Sequence, residues 1–133
     1  AGKVDWMGQL IKQLTSYRQS IGFEILIFDS LGAFFTLTKM ENPRDEIFRL
    51  YEAVRRLGLT AFFICEMMGE EHKQFGDYGV EDYLSDGVMH LVMDRDADEV
   101  KRKLAIVKMR HTSHMLGYKP FHWKSKETRF SVL

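Results

Sequence analysis

Lys108, Arg110, Thr112 and His114 alternate along the segment Lys108-Met109-Arg110-His111-Thr112-Ser113-His114-Met115. Alternate residues of an extended strand share one face, so the spacing predicts a surface that carries an ammonium, a guanidinium, a hydroxyl and an imidazole together. Lysine is a compact point charge, arginine a bidentate fork and threonine a hydroxyl donor, a set that suits the oxygens of a triphosphate. The same pattern also describes the solvated outer face of an edge strand, where lysines oppose aggregation. Far upstream, Glu24-Ile25-Leu26-Ile27-Phe28-Asp29-Ser30 is a short apolar run that ends on a carboxylate and a hydroxyl. A carboxylate at the C-terminal end of a buried strand lies where open α/β sheets bind ligands. In nucleotide-hydrolysing folds such an aspartate holds Mg²⁺, usually through water. An aspartate that merely ends a strand and caps the next loop leaves the same trace.

Other polar residues carry weaker signals. His111 and His114 are close enough to suggest a metal pair, but no cysteine accompanies them and no helical i,i+4 spacing is present. His90 sits within an apolar run and reads as a satisfied core residue; His72 and His122 complete the histidines. Glu66, just past a second apolar run, is placed to sense a nucleotide or polarise a water, or to be an ordinary loop carboxylate. Lys101, Arg102, Lys103, Lys108, Arg110, Lys119 and Lys124 are basic, yet acidic residues interleave with them and no aromatic platform is evident. That argues against nucleic acid as a partner.

Composition sets the frame. The 133 residues carry 19 Lys plus Arg against 19 Asp plus Glu, so no global charge draws the chain to nucleic acid or to a membrane surface. The length allows one domain at most, with about two-thirds of the unfolded surface removed on folding. No apolar run approaches the roughly 20 residues that span a bilayer, and no charged-then-apolar leader is present. The single cysteine, Cys65, lies in an apolar run and reads as a reduced core residue, which predicts a cytoplasmic setting. The first residue is Ala1, not Met, which fits a processed start or a part of a longer protein.

The elements that must position these residues follow from periodicity. Val4, Met7, Leu10, Ile11, Leu14, Tyr17 and Ile21 recur at helical spacing and predict an amphipathic helix stopped by Gly22. Residues 25–28 predict a strand covered on both faces, as in a parallel sheet. Asp29, Ser30 and Gly32 predict a strand end and loop. Asn42-Pro43 opens a helix with Asp45 and Glu46 at the positive end of its dipole and a stripe of Ile47, Leu50, Tyr51, Val54 and Leu57. Residues 60–65 predict a second buried strand, giving a βαβ rhythm. Residues 66–79 predict a mobile loop and residues 80–85 a short helix. Strands over 88–93 and 104–109 flank a charged tip at 94–99, and residues 120–123 and 130–133 form a last hairpin.

The segment Lys108-Met109-Arg110-His111-Thr112-Ser113-His114, followed by Tyr118-Lys119-Pro120-Phe121, resembles the Lys-Leu-Arg-Gly-Thr-Ser-His and Tyr-Pro-Phe segments of KaiC-like ATPases, relatives of RecA and RadA. Tyr78-Gly79-Val80-Glu81-Asp82-Tyr83-Leu84-Ser85-Asp86-Gly87-Val88 is similar to their Tyr-Gly-Val-Glu-Glu-Phe-Val-Ser-Asp segment, and Ile25 to Ser30 to their Walker B strand. The match runs in order from about Ile21 to Phe121, and the Lys-x-Arg-x-Thr-Ser-His segment is its specific part. The resemblance implies an α/β, partial RecA-like P-loop NTPase fold, with parallel strands flanked by helices and then antiparallel C-terminal strands. Residues 1–133 would form a single domain, the C-terminal part of a RecA-like ATPase domain.

The resemblance further implies ATP and Mg²⁺ as ligands, held between subunits of a ring-type homo-oligomer, a hexamer when complete. Asp29 would serve the metal through water, with Ser30 beside it. Lys108 and Arg110 would act in trans on the γ-phosphate, with Met109, Thr112 and His114 lining the neighbour's nucleotide. Clock-type or signalling proteins would be partners. Three departures stand out. No Gly-x-x-x-x-Gly-Lys-[Ser/Thr] phosphate loop occurs in the chain, His111 stands where the family usually has glycine, and Lys124-Ser125 replaces a Thr-Asp found in the clock proteins. Without its phosphate loop the chain is expected to be inactive alone. A non-catalytic assembly or regulatory module derived from a RecA-like fold is the alternative. A RadA-like DNA-transaction protein is disfavoured because residues 66–79 hold Glu70, Glu71 and Asp77 with only Lys73.

Overall fold

Asp5 caps the first helix by accepting a hydrogen bond from the Gly8 N–H at 2.8 Å, and Gly22, in the left-handed conformation, ends it. This is α1, Trp6–Ile21. The computed structural model describes residues 4–67, 75–96, 98–124 and 129–132, and the chain divides into two compact units, 1–84 and 85–133.

In the first unit, β1 (Ile25–Asp29) is followed by α2 (Leu31–Thr38), α3 (Pro43–Arg56), β2 (Thr60–Ile64) and the one-turn helix α4 (Glu81–Leu84). β1 and β2 pair in parallel from Ile25 opposite Thr60 to Asp29 opposite Ile64, so the predicted βαβ order holds. Buried side chains of three helices form the core: Met7 and Leu14 of α1, Leu31 and Phe35 of α2, and Ile47, Leu50 and Tyr51 of α3. The inward residues of the strands, Leu26, Phe28, Ala61 and Phe63, pack on it. The Tyr51 and Phe63 rings stack with centroids 4.8 Å apart. Arg18 ties the end of α1 to the end of α3 by donating to the carbonyls of Gly22, Phe23 and Leu57.

Two expectations are corrected here. Residues 31–38 form a helix rather than a loop. Gly32, Thr36 and Thr38 are weak helix formers, but the Ser30 hydroxyl caps the first turn and the burial of Leu31 and Phe35 supplies what propensity does not. The strands are not covered on both faces: Ile25 and Ile27 are 62% and 67% exposed, and Phe62 and Ile64 are exposed as well. Only the α1–α3 side of this pair is dry. Residues 68–74, the middle of the expected loop and the place of His72, lie outside the described residues.

The second unit is a four-stranded antiparallel sheet in the order β3 (Gly87–Asp96), β4 (Glu99–Met109), β5 (Lys119–Lys124), β6 (Arg129–Val132). The β3–β4 hairpin is longer than periodicity suggests. Asp94, Arg95 and Asp96 belong to the strand, opposite Lys101, Val100 and Glu99, instead of forming a tip. Across this extension the Lys103 ammonium pairs with the Asp94 carboxylate. His90 is half-buried rather than a core residue; its Nδ1 lies 2.8 Å from the Tyr118 hydroxyl.

Cys65 follows β2 and is partly buried. Burial, and then the Glu81 and Asp77 charges, push its thiol from an ordinary 9.0 up to about 11. The folded state therefore holds this proton more tightly than the unfolded chain. The stability this represents is complete below about pH 9 and falls as the pH rises towards 11. Alkylation of Cys65 at pH 8 is expected to be on the order of a hundredfold slower in the native protein than in the urea-unfolded chain, because the thiolate is the reactive form. Equal rates would contradict the burial described.

Candidate functional site

Parallel pairing forces the C-terminal ends of β1 and β2 to the same edge of the first unit. Asp29 is the last residue of β1, and its side chain is exposed there. Ser30 follows across a cis peptide bond and is buried; its Oγ accepts from the Ala33 N–H at 3.3 Å to cap α2. The hydroxyl keeps its own proton and a second lone pair. Cys65 and Glu66 leave β2 at the same edge, and Glu66 is exposed.

The segment that returns to α4 is tied down by a carboxylate. Glu81, 5% exposed, accepts from the Tyr78 N–H at 3.1 Å through Oε1 and from the Val80 N–H at 3.0 Å through Oε2. Gly76, at φ +122°, passes so close that a Cβ there would lie 2.6 Å from the Glu81 carboxyl carbon, so only glycine fits. Arg44 donates to the Tyr78 carbonyl at 2.8 Å, and the Tyr78 ring meets Phe35 of α2 edge-on at 5.1 Å. Burial first, then the Asp77 and Glu81 charges, raise the Tyr78 phenol above its usual range.

In the second unit, the Lys108–His114 segment is not one extended strand. β4 ends at Met109, and residues 110–112 turn, with His111 at φ +58°. The expected four-residue shared face is therefore broken after Lys108. A register shift between Val88 and Met89 leaves Val107 as an extra residue: Met89 opposes Ile106, whereas Val88 opposes Lys108. This bulge reverses the alternation. It moves Lys108 off the side shared by Met89, Leu91, Leu104 and Ile106, and turns Met109 towards that side, opposite Gly87. A Cβ on Gly87 would meet the Met109 Sδ at 3.0 Å, so the glycine makes room for it.

At the start of that turn, Arg110 is exposed and held to Asp86 by two hydrogen bonds. Its N–H donates to the Asp86 carbonyl at 2.8 Å, and its guanidinium to the Asp86 carboxylate at 3.3 Å. Thr112 is exposed, and its carbonyl lies 3.4 Å from Nδ1 of the half-buried His114. Asp29 and Ser30 thus belong to the first unit, and Lys108, Met109, Arg110, Thr112 and His114 to the second. No group of three or more His, Cys, Asp or Glu among the described residues could hold a metal. Spacing rules gave Glu81 and Asp86 no role. The signal for them was their place in the Tyr78–Val88 motif, beside Gly76 and Gly87.

A family model for the ATPase KaiC matches residues 3–129. The chain belongs to the KaiC ATPase family. It is 36% identical over 123 residues to the circadian clock protein KaiC3 of Synechocystis, covering 91% of this chain and 24% of that protein. It is also 36% identical over 101 residues to a UPF0273 protein of Thermotoga maritima, covering 76% of this chain and 40% of that one. The crystal structure of a KaiC-like protein from Pyrococcus horikoshii superposes with a TM-score of 0.81 at 22% identity, over 97% of this chain and 57% of that one. The fold is accordingly the RecA-like α/β fold of KaiC-like proteins. The chain spans about a quarter of the length of the clock relatives it matches.

His111 holds a positive φ of +58°, a backbone conformation that favours glycine. A left-handed backbone costs most residues roughly 1–2 kcal/mol; histidine is among the less penalised, and β-branched residues are the worst. His111→Gly is expected to leave stability unchanged or slightly raised in urea denaturation, and His111→Val to lower it by roughly 1–2 kcal/mol. Equal losses for both variants would show that the imidazole, not the backbone conformation, holds the turn.

Proposed function

We propose that this chain is the C-terminal part of a single RecA-like ATPase domain that, when complete, binds and hydrolyses ATP at the interfaces of a ring-type homo-oligomer, a hexamer, in the cytoplasm. The observation that carries the reading is the basic turn at the end of β4: Lys108 re-aimed by a bulge, and Arg110 exposed beyond it, in a member of the KaiC ATPase family. Clock-type or signalling proteins are the partner class that family membership suggests.

The chemistry asked of these residues is electrostatic. Phosphoryl transfer spreads charge over the γ-phosphate oxygens, and cations aimed at them lower the barrier. Lys108 and Arg110 supply those cations to the neighbouring subunit's nucleotide, while Met109, Thr112 and His114 line it. Mg²⁺, if bound there, would neutralise part of the phosphate charge. The residues at the end of β1 fit such a hard cation: Asp29 offers an exposed carboxylate able to hold it through water, and Ser30 a hydroxyl oxygen beside it. Because the cations come from a second subunit, turnover depends on assembly.

In the complete protein, Lys108→Ala and Arg110→Ala are each expected to lower ATP turnover by at least about tenfold without unfolding it. Asp29→Asn is expected to weaken the Mg²⁺ dependence of nucleotide binding or turnover. Steady-state hydrolysis assays across a magnesium titration test all three. Normal turnover in both cation variants would sink the trans role, and an unchanged magnesium dependence would remove Asp29 from the site.

A further inference from the structure

We infer that Asp86 is the positioning residue that aims the Arg110 guanidinium. The inference rests on the proposed trans role of Arg110 and adds the residue through which that role is set. The carbonyl of Asp86 accepts from the Arg110 N–H at 2.8 Å, immediately beyond the last ladder pair, Gly87 opposite Met109. That bond fixes the Arg110 backbone at the mouth of the β3–β4 hairpin, just before the left-handed residue His111 turns the chain away. The carboxylate of the same residue then takes one end of the side chain, with Nη1 and Oδ1 3.3 Å apart. One residue therefore holds both the root and the tip of the arginine.

Solvent exposure separates aiming from stabilising. The Asp86 side chain is 79% exposed and that of Arg110 40% exposed. A pair this wet contributes little to folding. What it restricts is the rotamer freedom of a long side chain whose planar fork is useful only when pointed at its target. A guanidinium carries its N–H donors in a fixed planar fork, and the bond to Asp86 is made through Nη1. Correct direction set before the nucleotide arrives lowers the ordering cost of the transition state, so the loss on removing Asp86 belongs in kcat more than in KM.

The test is a double-mutant cycle on ATP hydrolysis by the complete protein, using wild type, Asp86→Ala, Arg110→Ala and the double variant. Asp86→Asn serves as a second probe that keeps the side-chain shape without the charge. The expected result is a kcat reduced about fivefold to tenfold in both Asp86 variants with KM for ATP within about twofold, and no further loss when Asp86→Ala is added to Arg110→Ala. Partial rescue by Asp86→Glu completes the expectation. Slow Arg110→Ala with wild-type rates in both Asp86 variants overturns this inference alone. Equal fold-losses from Asp86→Ala in the wild-type and Arg110→Ala backgrounds overturn it too, since Asp86 then acts independently of Arg110. Faster turnover on removing Asp86 would make it a brake, and also overturns the inference. Wild-type turnover in Arg110→Ala takes down the underlying reading as well.

Discussion

Two strands that run parallel must end at the same edge, and much of the first unit follows from that constraint. β1 and β2 stay in register through Asp29 opposite Ile64, so the carboxylate, the capped start of α2 and the segment leaving β2 all emerge at one edge. The connection between parallel strands must cross over the sheet, and here α2 and α3 make that crossover while burying Leu31, Phe35, Ile47 and Leu50 against α1. The helices that close the core are thus the same helices that make the pairing possible. The Glu81 carboxylate and the contact of Tyr78 with Phe35 extend that edge into residues 75–80.

The second unit solves a different problem with local devices. An ideal antiparallel hairpin would place Lys108 on the same side as Leu104 and Ile106. The extra residue Val107 changes that phase, Gly87 leaves room for Met109, and the left-handed His111 turns the chain two residues past the end of the strand. Each is a small departure from regular geometry at the segment that most specifically links this chain to KaiC-like sequences. Such departures are where a fold re-aims side chains.

Periodicity made α1, α3, both parallel strands and their order legible, because each buries one face and the sequence must repeat accordingly. It missed α2, whose residues show no polar face and poor propensity; Ser30 and tertiary burial make that helix. It also misjudged the coverage of β1 and β2. A continuous apolar run looks the same whether one face or both are covered, and Ile25, Ile27 and Phe62 are exposed. The alternation drawn through Lys108, Arg110, Thr112 and His114 failed because a backbone handedness at one residue is invisible to spacing. The glycine that the resemblance implied at position 111 was the available clue. Asp86 and Glu81 stayed unassigned for a related reason: each acts on backbone N–H groups or on a neighbouring strand end, and no one-dimensional pattern encodes that partner.

In the proposed ring, one subunit's Asp29 works with another subunit's Lys108 and Arg110. Rings of the complete protein built from two differently tagged variants, Asp29→Asn and Arg110→Ala, and purified through both tags in succession test it directly. Each variant alone is expected to turn over ATP slowly. In mixed rings, interfaces that join the intact Asp29 of one subunit to the intact Arg110 of its neighbour are expected to restore hydrolysis well above either parent. Mixed rings no faster than the average of the two parents would place all of these residues in the same subunit's site and contradict the account.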